Sequence, residues 1–571
     1  MPPDRTAAPP RVLHPPELRS DPPREAGVPT AATEGLRSLG RPGAIALIFA
    51  LLSGLLTHAY HLFDYPLYQT DEGIYMERAW AVIREHGLSP QTYVYDHAPA
   101  GWLMIAGWVE LLPGHFEAFG NPVNSGRVLM VILHVASTFF LFEIARKLTG
   151  GLLAPLIATF FFNFSFLAVY YQRMALLDNI MVFWVLLSVY LPLRRRGHLF
   201  TGLWSGLAFG TSVVTKENAI FFAPAIFYLV YRQTKENSNK SFVITFWLIG
   251  ASAPIVTYFL YATLKGELFP KDFSFNLSKP PQGHVSLLYE MWYQIHRNSG
   301  TLFTPNSSGL QPDYLYTSWL PRDPYLLVGG TIAMLICLWV GWHQRQENPA
   351  WLVAGGLAFG IAFYLARGSV ILDFYVIPLI PLYALCIALV ADRMLKRIPV
   401  ATAVPSITIL CAVLLLVPSG GSPDGGYLLK HGQQGQLQLA DPYHVPQTFM
   451  QNSEIAWVRH NIPTNARIVS DDDIWVALHD VKPVYPYDQS HWNAASDPQV
   501  RKKIFGGGNW EYIDYFVMSN GMLQAMQLNN GSTSTSSGIE AYMLYALKYH
   551  SSMVWSVNRG QVHLQIWKVN H

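Results

Sequence analysis

Charge is scarce in this chain. Asp, Glu, Lys and Arg make up 13% of its 571 residues, about half the quarter usual in soluble proteins. Cysteine is nearly absent. The three residues, Cys337, Cys386 and Cys411, all fall inside apolar runs, which argues against a disulfide scaffold and a cysteine zinc site. No excess of one sign exists either: 39 basic side chains stand against 37 acidic ones, a net charge of +2. A nucleic-acid partner therefore has no electrostatic footprint. What fills the space is apolar. Hydrophobic residues reach 51% and aromatic ones 14%, and mean hydropathy is +0.20. Length alone would imply about four domains, but long apolar runs with little charge point to a polytopic α-helical membrane protein.

Residues 1–42 are rich in Pro and Arg and lack periodicity, as in a disordered tail. No small-residue cleavage site follows, so the first apolar run reads as retained. Against the rule of about 20 apolar residues per crossing, spans fall near 43–63, 128–149, 152–172, 176–193, 198–214, 219–231, 241–263, 324–342, 350–366, 374–391 and 400–418. The run 100–113 has only 14 residues and suits an interfacial or re-entrant helix.

Charge bias orients these eleven spans. Short loops on one side carry Arg146, Lys147, Arg194, Arg195, Arg196, Arg232, Lys235, Lys240, Arg345, Arg393, Lys396 and Arg397; those on the other carry Arg173, Lys216 and Arg367. Twelve against three places the first set, and the N-terminus, in the cytoplasm. Loops 64–127 and 264–322 and everything after residue 418 are then outside. The module 43–418 is followed by a Gly/Pro/Gln linker at 419–438 and a segment 439–571. That segment alternates strand-like stretches (466–470, 513–518 and a hairpin at 552–557 and 562–569) with helix-like ones (452–460, 539–549), as in an extracytoplasmic α/β domain. Its loop 529–538 is low in complexity.

The first external loop carries a dense set of polar groups. Asp71-Glu72 sits where Thr70 or Asp71 would cap a helix that stops at Gly87. Capping alone would explain the pair. Tyr93, Tyr95, Asp96 and His97 precede the short helix, where an aromatic belt would also place such rings. Then come bases beside acids at external span ends: Arg173 with Asp178, Lys216 with Glu217, Arg367 with Asp373 and Tyr375. Charge near hydrocarbon is tolerated where it pairs or lines a polar cavity. Three such pairs on one face point to one cavity at the outer leaflet. Its chemistry suits a lipid-linked phosphate held by cations and a hydroxyl deprotonated by a carboxylate.

Asp71-Glu72-Gly after the first span, Asp96-His97-x-Pro99-x-Gly-Trp, Arg173-x4-Asp178 and Thr-Lys216-Glu217 resemble the protein O-mannosyltransferase and aminoarabinose-transferase family, over roughly residues 43–400. These are GT-C membrane glycosyltransferases that use polyprenyl-phosphate sugars. The resemblance implies a GT-C fold, an external active site and inversion at the anomeric carbon. It implies a catalytic carboxylate at Asp71, with Glu72 as its rival and Asp178 the next candidate. Arg173, Lys216 and Arg367 would hold the donor phosphate, joined by His97. Tyr95, Asp96, Glu217 and Tyr375 would line the sugar or acceptor pocket. The acceptor would be a hydroxyl of a protein or of a lipid or glycan, and the transferred sugar a hexose (mannose among them) or a pentose. The aminoarabinose enzymes carry a Glu-Lys pair where this chain has Asp96-His97, which leaves the sugar open. No accessory domain of the protein mannosyltransferases is recognisable in 264–322, which leaves the acceptor open. No cofactor is required, and a divalent cation stays compatible.

Asp471-Asp472-Asp473 resembles the acidic metal motif of nucleotide-sugar transferases, but a turn or helix cap is the preferred reading. Phe505-Gly506-Gly507-Gly508 lacks a phosphate-loop context and reads as a flexible loop. A transporter or lipid-linked sugar flippase is the alternative function. It would bring inverted repeats and polar residues at mid-membrane, whereas no repeat is visible and the polar groups gather at one face. The orientation is testable: a reporter active only in the cytoplasm, fused after residue 571, should stay silent. A strong signal would overturn the eleven-span topology.

Overall fold

The computed structural model describes residues 39–194, 198–235, 238–271, 285–296, 302–303, 314–346, 348–368, 371–398, 400–416, 426–432, 436–519, 521–523, 540–559 and 562–571. The expectations for the tail 1–38, for Arg195 and Arg196, for parts of loop 264–322 and for loop 529–538 lie outside the described residues.

Each expected span contains a helix: Gly40–Ala59, Pro122–Thr149, Leu153–Phe164 with Phe166–Tyr171, Leu177–Arg194, Leu199–Val213, Ala223–Thr234, Lys240–Leu264, Pro324–His343, Ala350–Arg367, Leu379–Leu395 and Val400–Leu416. Among the described residues, 7 helices are long and apolar enough to cross a bilayer, taking Leu379–Leu395 together with the turn before it. The helices Leu153–Phe164, Leu199–Val213, Ala223–Thr234 and Val400–Leu416 are shorter, at 12, 15, 12 and 17 residues. The boundaries follow local chemistry. Asn121 caps Pro122–Thr149 by accepting from Val123 N at 2.9 Å, proline opens the first turn, and Gly150 closes the helix at φ +74°.

Apolar helices in lipid gain nothing from the hydrophobic effect when they meet, so close packing must join them. Gly202, Gly206 and Gly210 recur every fourth residue and lie against the backbone of Val243, Trp247 and Ala251. Outward, Phe49, Leu52 and Leu56 of Gly40–Ala59 and Leu248, Ile249, Val256 and Leu260 of Lys240–Leu264 stay exposed. Such a surface fits a hydrocarbon solvent.

Two helices form the loop between the first two expected spans. Ala100–Glu110 is an 11-residue helix, too short to cross. Thr70–Arg84 starts one residue earlier than capping by Thr70 or Asp71 requires. Its cap is Gln69, because Glu72 at the third position reaches back to Gln69 N at 3.1 Å. At the other end Gly87 N bonds Ala81 O at 3.2 Å, while His86 takes the left-handed conformation (φ +55°).

After the spans the chain turns to sheet. The linker range holds a hairpin, β1 (Leu429–His431) antiparallel to β2 (Leu437–Leu439). Then β3 (Ile468–Ser470), β4 (Asp488–Ser490), β5 (Tyr515–Met518), β6 (Ser551–Arg559) and β7 (Val562–Val569) form one sheet in the order β4-β3-β5-β7-β6. β3 is parallel to β4 and β5, while β7 is antiparallel to β5 and β6. The predicted terminal hairpin is therefore present as β6 and β7.

Residues 46–571 form one compact unit, and the sheet segment is bound to this first loop. Tyr68 and Gln451 exchange two hydrogen bonds (2.9 and 3.0 Å). Arg84 donates to Asp480 at 2.9 Å, and Trp80 meets Trp475 edge-on at 5.0 Å. Between them Gly73 lies so near the Asp472 backbone that a Cβ would fall on it.

One ion pair ties this first loop to the spans. The Arg127 Nε and Nη2 donate to the two oxygens of Glu72 at 2.9 and 2.6 Å, with both side chains fully buried. Glu72 also accepts from Ala175 N at 2.8 Å, and Arg127 donates to the carbonyls of Pro66 (2.9 Å) and Leu67 (3.1 Å). Removing one partner strands a buried charge, at a cost of about 3–5 kcal/mol. Arg127→Met should therefore lower the thermal unfolding midpoint in detergent well below wild type. An unchanged midpoint would show that the pair does not hold the loop.

Candidate active site

Asp71 is the second residue of the Thr70–Arg84 helix and is half-buried. Neighbouring helical residues point about 100° apart. With Glu72 turned into the Arg127 pair, Asp71 faces elsewhere. Tyr75, one turn on, donates to its Oδ1 at 3.3 Å. Burial lifts the Asp71 carboxyl above the usual Asp range, the charges of Lys216 and His97 offset part of this, and Asp178 adds to it. Asp71, His97, Asp178 and Lys216 therefore share one electrostatic neighbourhood.

Lys216 lies just past Leu199–Val213, in extended backbone before the 3-10 turn Glu217–Phe222. Asp178 is the second residue of Leu177–Arg194. Both are buried and ion-paired. The Lys216 Nζ lies 4.1 Å from the Tyr375 ring centroid and 5.0 Å from that of Phe374, an attraction strengthened by desolvation. Asp178 Oδ1 has no partner among the described residues. The His97 ring meets Tyr75 edge-on at 6.2 Å, and its Nδ1 is 3.4 Å from Glu217 Oε2. Glu217 is held in turn by Ala98 N at 2.6 Å. On the remaining side Gln69 donates to Asp373 at 3.4 Å, and Asp373 lies in the field of Arg322.

The charged partners are not those adjacent in sequence. Lys216 pairs with Asp178, not with Glu217, and Asp178 is not paired with Arg173. Arg173 is fully buried and donates to the carbonyls of Thr57 and Pro442. Arg367 is exposed and donates to Ile295 O at 2.8 Å. Tyr95 donates to Glu267 at 2.7 Å from a left-handed backbone (φ +54°). Asp96 accepts both oxygens' worth of bonding from Arg78, at 2.8 Å each. The structure thus gathers Asp71, His97, Asp178, Lys216, Glu217 and Tyr375. It sets Arg173, Arg367 and Tyr95 apart and commits Glu72 to the loop anchor.

Two members were not anticipated. Tyr75 stands four residues after Asp71, a helical spacing that could have found it. Arg322 precedes Asp323-Pro324 at the start of a span. Its signal was a base at a helix end on the side expected to be external, hidden because long loops are left out of a charge count. Asp471 is a helix cap, accepting from Asp472 N at 3.1 Å. Among the described residues, no group of three or more His, Cys, Asp or Glu side chains is placed to hold a metal ion.

Residues 96–261 match the family described as dolichyl-phosphate-mannose-protein mannosyltransferase. Among solved structures the chain is similar to ArnT from Cupriavidus metallidurans bound to undecaprenyl phosphate. The TM-score is 0.55 at 15% identity, over 94% of this chain and 99% of that one. The chain has the GT-C fold. The archaeal oligosaccharyltransferase AglB from Archaeoglobus fulgidus, in complex with an inhibitory peptide and a dolichol-phosphate, shares it. There the TM-score is 0.51 at 11% identity, over 89% of this chain and 72% of that one. No curated protein sequence matches the chain. The family match includes Asp178 and Lys216 but begins after Asp71.

Within this GT-C fold the Lys216–Asp178 pair should behave as a buried unit. Lys216→Met leaves the Asp178 carboxylate unpaired among apolar groups, at about 3–5 kcal/mol. Adding Asp178→Leu should restore most of the lost thermal stability, since an apolar replacement of both partners is often neutral. A double variant as unstable as the single one would exclude this pairing.

Proposed function

We propose that the chain is an inverting glycosyltransferase that moves a monosaccharide from a polyprenyl-phosphate donor to a hydroxyl acceptor on the external face of the membrane. The observation that carries this reading is Asp71, with a pKa raised by burial, beside the buried Lys216–Asp178 pair at the external ends of the spans. The bound lipid phosphates in ArnT and AglB support the donor class, since both proteins share this fold. Of the hexosyl or pentosyl transfer that the motifs imply, the family match at 96–261 supports the hexosyl one.

In this reading Asp71 is the general base. A hydroxyl is a poor nucleophile, and a carboxylate within hydrogen-bond reach takes its proton as attack begins. The acceptor oxygen bonds to the anomeric carbon. The bond from that carbon to the phosphate oxygen breaks on the opposite face, and its electron pair leaves with the polyprenyl phosphate. One step inverts the centre. Lys216 faces the developing phosphate charge while Asp178 fixes its ammonium, a preorganised form of electrostatic stabilisation. Arg322 is the second cation near enough to contribute, through the Asp373 side of the cavity. Arg173 and Arg367 are left out because neither is among the charges that act on Asp71, and each donates to backbone carbonyls elsewhere. The base is adjacent to His97, so the loop 92–97 shapes the acceptor side.

Membranes offered radiolabelled polyprenyl-phosphate sugars test this reading. Asp71→Asn should keep donor binding and lose about 10²–10⁴-fold in turnover, the worth of general-base catalysis. Because the Asp71 pKa is raised, the rate should fall with decreasing pH along a limb lying above about 3.9, the free Asp value. Normal turnover in Asp71→Asn would move the base to Asp178.

A further inference from the structure

A second cavity opens where the Thr70–Arg84 helix meets the sheet. It holds about 440 Å³ and is lined by Ile74 and Arg78 from the helix, Asp96 from the loop, Asp472 after β3, and Trp492 and Asn493 after β4. In open α/β sheets ligands sit beyond the carboxyl ends of parallel strands, where the strand order reverses. This cavity is at that place: β3 lies between β4 and β5, and the chain goes from β3 first to one side and then to the other.

The lining selects a ligand chemistry. Among the described residues the one guanidinium in the lining is Arg78, whose Nη2 donates to both oxygens of Asp96, and Glu77 and Asp472 stand beside it. Among the described residues the lining holds no second cation, and a phosphate would meet the carboxyls of Asp96, Asp472 and Asp497; Arg78 Nη1, without a hydrogen-bond partner there, is left as a donor for a neutral oxygen. Burial pushes the Glu77 carboxyl well above its usual range, with Asp472 and Asp488 adding to the rise, so a fixed cation is not called for either. Beside these acids, the other groups facing the space are of two natures. The Trp492 indole is 40% exposed, and the Asn493 side-chain amide makes no hydrogen bond among the described residues. An exposed indole with amide and carboxyl groups around it suits a ligand with apolar faces and hydroxyl edges, which is a sugar.

The position gives that sugar a role. Ile74 and Arg78 follow Asp71 at three and seven residues on the same helix, so all three share a face. At 1.5 Å per residue, Arg78 lies roughly 10 Å along the axis from Asp71, within reach of a short oligosaccharide. We propose that this cavity is a carbohydrate subsite holding the acceptor, so that the acceptor of the transfer is a glycan. The inference rests on the transferase reading of Asp71.

The test is saturation-transfer NMR on the full chain in a sugar-free detergent. The probes are the methyl glycosides of mannose, galactose, glucose and arabinose, with a Ser/Thr peptide as rival. Binding of undecaprenyl phosphate is measured separately. At least one glycoside should receive saturation. Trp492→Ala should weaken its binding about tenfold, as for loss of an aromatic contact, while Trp492→Phe should largely restore it. Undecaprenyl phosphate should bind all three proteins alike. If no glycoside binds, if Trp492→Ala binds as wild type does, or if only the peptide binds, the glycan subsite is overturned. Glycoside binding without any binding of undecaprenyl phosphate would instead overturn the donor reading and leave the subsite standing.

Discussion

The Glu72–Arg127 ion pair is the contact on which the placement of the first loop depends. Both groups are out of water, so each needs every hydrogen bond it can make. They find them on different parts of the chain. Glu72 holds Gln69 N at the start of its own helix and Ala175 N in the turn before Leu177–Arg194. Arg127 holds the carbonyls of the loop leading to that helix. The pair therefore fixes both where the helix begins and how it is rotated. Asp71 precedes Glu72 by one residue, and its direction follows from that rotation. The acid that anchors thus aims the acid proposed to react.

A related economy governs the charges between spans. Lysine and aspartate in apolar surroundings are tolerated when paired, and Lys216 with Asp178 meets that condition across two helices. The aromatic faces of Phe374 and Tyr375 complete the ammonium's environment from a third element. Each side chain's geometry is therefore set by elements distant in sequence.

Such long-range setting separates what was legible from what was not. The helices were legible because a long apolar run has few alternatives, and so was the terminal hairpin, with its two apolar runs around a turn. The residues of the site were largely legible as residue types in odd places, such as Asp71, Lys216 and Asp178. Their pairing was not. Adjacent charges such as Lys216 and Glu217 invite a local pair, but extended backbone at Lys216 sends successive side chains to opposite sides. Arg173 looked like its neighbours Lys216 and Arg367 by position alone. Only the fold shows that its donors serve Thr57 and Pro442. The cap of the Thr70–Arg84 helix was displaced by one residue because glutamine at the cap is less common than threonine or aspartate, and the reciprocal bond from Glu72 decided it. The docking of the sheet segment on the first loop had no sequence signal, since its main contact is a glycine against a peptide backbone.

That glycine contact bears on how ligands come and go. Where Gly73 rests on the Asp472 backbone there is no side chain to rotate aside, and Trp80 with Trp475 closes the same seam. A hinge needs residues that can absorb a change in φ and ψ without breaking packing, and this seam offers none. The sheet segment is therefore held against the first loop at this seam by backbone and ring contacts. In the proposed transferase reading, traffic to Asp71 is left to the flanks of that seam: the lipid-linked donor sideways between spans, and the acceptor along the groove beside β3 and β4.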